Sequence, residues 1–291
     1  MTFFDKILDF LGLIIDDSIE KEKFSGFTIT DSDNDFDIDN YLNNIDKEDS
    51  KNFKYLDLLV HSGKKEIFLD SDIVLDVDEE SIYLDGIRLN VDDLIINGNG
   101  HVINARGKTR IFTIFGNNIV FKDLYFKKGF TKIKGGALYI NRKSNMKIIN
   151  CCFCNNKTFH KGGAIYSEGK VDIDNSRFEE NLAKDFGGAI KVSRGVMNID
   201  SSEFISNNVD GYGGALSNES KIIITNSLFE DNSTNNGAGV IHNLFGKRLK
   251  ISNTSFIKNS GCRGEIIEPQ KSLSMSLKNC VFEGNIPEFK K

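Results

Sequence analysis

From residue 121 onward, apolar and polar positions recur with a period far longer than that of one helix or strand. Phe-x-x-Asn occurs at Phe153/Asn156, Phe178/Asn181, Phe204/Asn207, Phe229/Asn232, Phe256/Asn259 and Phe282/Asn285, with phenylalanine intervals of 25, 26, 25, 27 and 26. One step earlier, Phe126 and Gly129 fit at an interval of 27. Five residues before each phenylalanine stands an apolar residue: Phe121, Ile148, Ile173, Ile199, Ile224, Ile251 and Leu277. Three residues before it stands a small polar one: Asp123, Asn150, Asn175, Ser201, Asn226, Asn253 and Asn279. A second motif alternates with the first, as GGALY (135–139), GGAIY (162–166), GGAIK (187–191) and GGALS (213–217), decaying to GAGVI (237–241) and RGEII (263–267).

Each unit holds short β-branched or aromatic runs such as KIIITNSLF (221–229) between Gly- or Asn-rich turns, and none holds a ten-residue helical pattern. A coil of this length accommodates three short strands and three turns. Stacking coils at about 4.8 Å pairs each strand with its successor and closes a continuous apolar interior. Equivalent side chains then form ladders: a phenylalanine column inside and an asparagine column along a turn. The column Leu124, Cys151, Ser176, Ser202, Ser227, Thr254, Cys280 takes small residues, which makes Cys151 and Cys280 ladder members. The runs 67–77, 81–91 and 94–104 alternate in the same way, and Asn97 lies 26 before Asp123, so about eight coils are expected. The fold class is all-β, with a helical cap at 50–62: Ser50 as N-cap, Gly63 as the stop, and Phe53, Leu56, Leu59 and Val60 as its apolar face. Pro287, Lys290 and Lys291 are expected to blunt the far end.

These motifs resemble the right-handed parallel β-helix proteins of the pectate-lyase-like superfamily. Within it, GGA[IL]…FxxN is similar to the polymorphic outer-membrane protein repeat, and the stretch 92–129 leading into the GGAI copies resembles adhesin-like proteins of methanogenic archaea. The resemblance covers roughly residues 50–285. It implies a right-handed parallel β-helix, and a surface-associated, adhesin-like role binding glycan or protein.

The remaining sequence narrows the alternatives. Residues 1–49 divide into an amphipathic helix, with Phe3, Phe4, Ile7, Leu8, Leu11, Ile14 and Ile15 on one side, and an acidic linker over 31–49; 50–291 form the solenoid. No run reaches 18 apolar residues, and the N-terminus lacks the basic start and uninterrupted apolar stretch of a signal peptide. That reads as cytoplasmic, whereas the resemblance implies the cell surface. A net charge of −5 (37 basic against 42 acidic residues) points to no nucleic-acid partner. The five cysteines form no CxxC…CxxC pattern, and Asp35, Asp37, Asp39 and Asp46 match a calcium loop except that Asn40 replaces its glycine, so no metal or cofactor is expected.

Polysaccharide lyases and glycosidases need convergent acids or an acid–base pair. Glu179 and Glu230, two coils apart with Ile205 between them, are the candidate carboxylates, and they read as a solvated acidic edge. No catalytic residue is assigned. The richest outward site is the turn before Gly-Gly, where the register gathers His160, Lys161, Asp185, Phe186, Asp210 and Tyr212. Polar groups around two aromatic faces suit a sugar or a partner side chain. Arg142, Lys143, Lys170, Arg194, Lys221, Lys247, Arg248 and Lys271 collect after the GGA motif as a basic ridge. The leading expectation is a non-catalytic, adhesin-like scaffold. A polysaccharide lyase or glycoside hydrolase on the same fold, and an assembly protein without a sugar ligand, are the alternatives.

Overall fold

A computed structural model describes residues 51–237, 239–244, 248–262, 266–267 and 275–286. The amphipathic helix, the acidic linker with its calcium-like acids, Ser50, and the Pro287, Lys290 and Lys291 end all lie outside the described residues. What is described is a parallel β-solenoid. Its strands form four parallel sheets rather than three, two of them nine-stranded, giving eight coil-to-coil steps. One coil shows the plan: a long strand (Lys170–Asp174), a phenylalanine strand (Arg177–Glu179), a two-residue strand (Leu182–Ala183) and a Gly-Gly-Ala strand (Ile190–Val192). The extra sheet is made of two-residue strands, too short to show alternation.

Alternation sets the interior. In the long strand, Val171 and Ile173 are buried between outward Lys170, Asp172 and Asp174. Phe126, Phe153, Phe178, Phe204, Phe229, Phe256 and Phe282 stack face to face, with ring centroids 4.5 to 5.0 Å apart and interplanar angles of 10° or less. Strand spacing dictates that distance, so offset stacking comes at no extra conformational cost.

Three corner columns lock the coils together. Asn156, Asn181, Asn207, Asn232, Asn259 and Asn285 are all buried. Asn181 Nδ2 donates to the Phe153 carbonyl of the preceding coil at 2.9 Å and to Asn207 Oδ1 of the next at 2.9 Å, and that Oδ1 also accepts from the Asn181 backbone at 3.1 Å. The pattern repeats at each step, starting where Gly129 N donates to Asn156 Oδ1. In the small-residue column, the Cys151 backbone N–H donates to Ser176 Oγ, Ser176 to Ser202 and Ser202 to Ser227, at 3.1, 3.1 and 3.2 Å. Beside it, Asp123, Asn150, Asn175, Ser201, Asn226, Asn253 and Asn279 turn the chain with φ between 46° and 53°. Asn and Asp tolerate this left-handed geometry best. Lys128, Asn155, Glu180, Ser206, Asp231 and Lys258 do the same two residues after each phenylalanine, so that column is a corner and not part of a strand.

The varying period has a single source. From Ile119 onward, two residues separate each long strand from its phenylalanine strand, and two separate that from the short strand. The turn from the Gly-Gly-Ala strand to the next long strand instead holds 4, 2, 3, 2 and 4 residues, between Ile140 and Asn145, Ser167 and Lys170, Val192 and Val196, Asn218 and Lys221, and Asn243 and Arg248. These lengths follow the phenylalanine intervals of 27, 25, 26, 25 and 27 one for one.

The helix α1 spans Phe53–Val60, shorter than expected, and its N-cap is Asn52, whose side chain accepts from Tyr55 N. The buried Glu79 carboxylate also accepts from the Phe53 and Lys54 backbone N–H groups at 3.1 and 2.6 Å, so an anion sits where the helix dipole favours one. Phe53, Leu56, Leu59 and Val60 are buried as expected and join the core at the first coil. The early register also differs by one residue, since Asn97 lies opposite Lys122 and not Asp123.

Replacing Phe204 by Ala removes one ring from the stack between Phe178 and Phe229. The expected cost is about 3–5 kcal/mol, read as a lower urea midpoint. A midpoint equal to wild type contradicts the stacked register.

Candidate functional site

The turn before each Gly-Gly is a ladder in its own right: Lys134, Lys161, Phe186 and Tyr212 bridge one another in parallel register. The two glycines that follow have separate jobs. Gly135, Gly162, Gly187 and Gly213 adopt φ between 65° and 76°. The second glycine permits contact between coils, because a Cβ on Gly163 or Gly188 would stand 2.0 or 1.9 Å from the next coil's carbonyl oxygen. The chain therefore enters the Gly-Gly-Ala strand tightly, with the ladder side chains held beside the strand's outward face.

That face holds residues the sequence reading passed over. Register places Tyr139, Tyr166, Lys191, Ser217 and His242 in one outward column. Lys191 is fully buried nonetheless. Its ammonium donates to Glu219 Oε1 at 2.8 Å and Ser217 Oγ at 3.0 Å, and Ser217 Oγ lies 3.0 Å from His242 Nδ1. Burial pulls the Lys191 ammonium down to about 8, against the opposing pull of Glu219. The signal was present as the last letter of GGAIK and GGALS, whose alternation with buried Ile190 and Leu216 points outward.

Phe186 and Tyr212 roof this polar layer. The Lys191 ammonium lies 4.9 Å from the Phe186 ring centroid and Lys161 Nζ lies 5.3 Å from it. Phe186 and Tyr212 stack at 5.7 Å, and the His242 ring lies 5.7 Å from the first and 5.2 Å from the second. Both aromatics are half-buried. Further along, Lys134 lies 4.6 Å from the Tyr166 ring and Arg110 5.5 Å from Tyr139. The strip thus alternates cations and π faces, a pairing strengthened by partial desolvation.

The other expected residues divide. His160 Nδ1 and Asp185 Oδ2 meet at 2.7 Å on the exposed rim. Lys161 joins Phe186 as described. Asp210 accepts from the following coil, its side chain from Asn235 Nδ2 at 3.1 Å and its backbone carbonyl from Asn236 Nδ2 at 2.6 Å. Glu179 is clamped by Arg177 at 2.9 and 3.1 Å, which holds its carboxyl below the usual range; an acid so held is a poor proton donor.

On the opposite edge of the same strands lies an open groove of about 570 Å³, lined by Arg142, Glu168, Ser193, Arg194, Glu219 and Leu244, among others. It is built from the variable-length turns. The Tyr139 and Tyr166 hydroxyls donate to Glu168 at 3.2 and 3.3 Å, and Ser193 Oγ donates to Glu219 at 3.4 Å. Glu219, bound to Lys191, thus links the roofed polar layer to the groove.

Residues 150–168 match the repeat described for the Chlamydia polymorphic membrane protein family. The matched segment runs from the Asn150 corner through Phe153, Asn156 and Gly162–Gly163 into a Gly-Gly-Ala strand. No curated protein and no solved structure matches the chain. No helix among the described residues is long and apolar enough to cross a membrane.

The unfolded chain holds the Lys191 proton up to its ordinary value of 10.5 and the folded chain only to about 8. Between those values the unfolded state binds more protons, so raising the pH stabilises the fold, by on the order of 3 kcal/mol across the window. Urea midpoints for wild type and Lys191→Met, compared from pH 7 to 10.5, should show the wild-type midpoint rising relative to the variant's as the pH rises. Parallel curves contradict a buried, charged Lys191 at neutral pH.

Proposed function

We propose that the protein is a β-solenoid ligand-binding scaffold of adhesin-like type, and that it binds glycan on the outward face of the Gly-Gly-Ala sheet. The observation that carries this reading is the pairing on one face of an aromatic roof, Phe186 and Tyr212, with an adjoining groove of carboxylates and guanidiniums. Sugar rings cover apolar faces with their C–H groups, and their hydroxyls bond to charged and amide side chains. The polar layer beneath the roof is satisfied internally by Lys191, Ser217 and Glu219. It therefore holds the rings in place, and the ligand would meet their exposed edges. The turns lining the groove are also those whose length varies from coil to coil, as expected where loops on a rigid scaffold carry specificity. The match to a membrane-protein repeat supports a cell-surface setting.

A second reading, hydrolysis of the bound polysaccharide, is favoured by Glu168 and Glu219 in one groove. They stand two coil steps apart, about 9.6 Å along the stack, close to the separation of inverting glycosidase pairs.

A glycan array probed with wild type, Phe186→Ala/Tyr212→Ala and Arg194→Ala tests the first reading. Wild type should bind a defined set of glycans, and the double variant should bind them at least 10-fold more weakly with its circular dichroism intact. Absence of any bound glycan, or full affinity in the double variant, overturns it. Release of reducing ends by wild type but not by Glu219→Gln would favour hydrolysis over simple binding.

A further inference from the structure

One strand outside this face carries a pair of side chains that the ladder does not use. Cys152 and Cys154 are the first and third residues of the strand Cys152–Cys154, with buried Phe153 between them, so both thiols project from the same outward side. Both are free and partly exposed. Cys151 differs: it is buried in the small-residue column, and burial pushes its thiol up to about 12. An open groove of about 470 Å³, lined in part by Tyr125, Asn150, Cys152 and Arg177, gives solvent access to Cys152.

Strand geometry decides what such a pair does. Alternate residues of an extended strand have Cα atoms about 6.6 Å apart, and same-face side chains keep nearly that spacing at Cβ. A disulfide wants Cβ atoms about 3.8 Å apart. This strand is paired in register on both sides, Phe153 with Phe126 and with Phe178, and so resists the bend needed to close a direct sulfur–sulfur bond. A bridging ion has no such difficulty, since two metal–sulfur bonds span about 4.6 Å.

We propose that Cys152 and Cys154 form a two-thiolate clamp for a soft monovalent cation of the copper(I) class. The number of donors selects the ion. Among the described residues no group of three His, Cys, Asp or Glu side chains is placed to hold a metal, whereas zinc sites of this kind draw on four ligands. Thiolate is the preferred donor for copper(I), which accepts two. A dithiolate complex of a monovalent ion carries one negative charge. Register places Lys127 on one side of Cys154 and Glu179 on the other, and Arg177 beside Cys152. Arg177 is itself fixed by Glu179 and, at 2.6 Å, by Glu203. On binding, the two sulfur–metal bonds replace the two S–H bonds, and both protons leave to solvent.

Anaerobic titration of the purified full chain with copper(I), against a colorimetric copper(I) chelator, tests the clamp. Wild type and Cys262→Ser should each take up one ion per chain in competition with the chelator. Cys152→Ser and Cys154→Ser should each weaken uptake at least 100-fold. X-ray absorption on copper-loaded wild type provides a readout that does not depend on the variants folding, and should show two sulfur ligands. Equal uptake by wild type and Cys154→Ser, displacement by equimolar zinc(II), or a copper shell of nitrogen and oxygen would overturn the proposal. None of these outcomes depends on glycan binding.

Discussion

The buried asparagine ladder is the constraint on which the rest of the structure depends. A parallel solenoid must satisfy the backbone at every corner inside an apolar stack, and an unpaired buried amide costs about 1–3 kcal/mol. Each asparagine meets that demand for two neighbours at once, donating back to a phenylalanine carbonyl and forward to the next asparagine while its own Oδ1 accepts from below. The ladder works only if successive coils align to a fraction of an ångström. That alignment brings the phenylalanine rings to their stacking distance and fixes the two-residue corners on either side. Variation in coil length is accordingly displaced to the turn that leaves the Gly-Gly-Ala strand, away from this ladder.

The same displacement connects fold to function. The turn free to change length lines the groove beside the Gly-Gly-Ala sheet, so the scaffold is rigid where coils register and variable where a ligand would be read. The outward face of that sheet carries an internal charge balance between Lys191 and Glu219. Burying an ammonium is tolerated because Glu219 and Ser217 accept its hydrogen bonds and aromatic faces replace part of its hydration. This buried polar layer makes the aromatic roof a defined surface and not a pair of loose side chains.

The inward and ladder positions were legible in the sequence because they repeat at fixed offsets. The phenylalanine, asparagine and small-residue columns, the Gly-Gly pair and the apolar face of α1 all follow from spacing and side-chain type. The fourth sheet was not legible, since strands such as Leu182–Ala183 are too short to alternate. The corner at Lys128 and Glu180 was hidden because neither residue type advertises a left-handed conformation. Asn52 was passed over for Ser50 because both residues suit a helix start. At the candidate site, His160–Asp185 and the Phe186–Tyr212 stack came from register alone. Lys191, Ser217 and His242 did not, because three different residue types in one column do not look like a repeat, and their connection exists only between coils.

The account rests on the ladder, and side-chain amide hydrogen exchange measures it directly. In native-state NMR, the Nδ2 protons of Asn181, Asn207 and Asn232 should exchange together and orders of magnitude more slowly than those of exposed Asn155 and Asn175. Exchange of the three at the exposed rate would contradict the stacked asparagine corner and the coil register built on it.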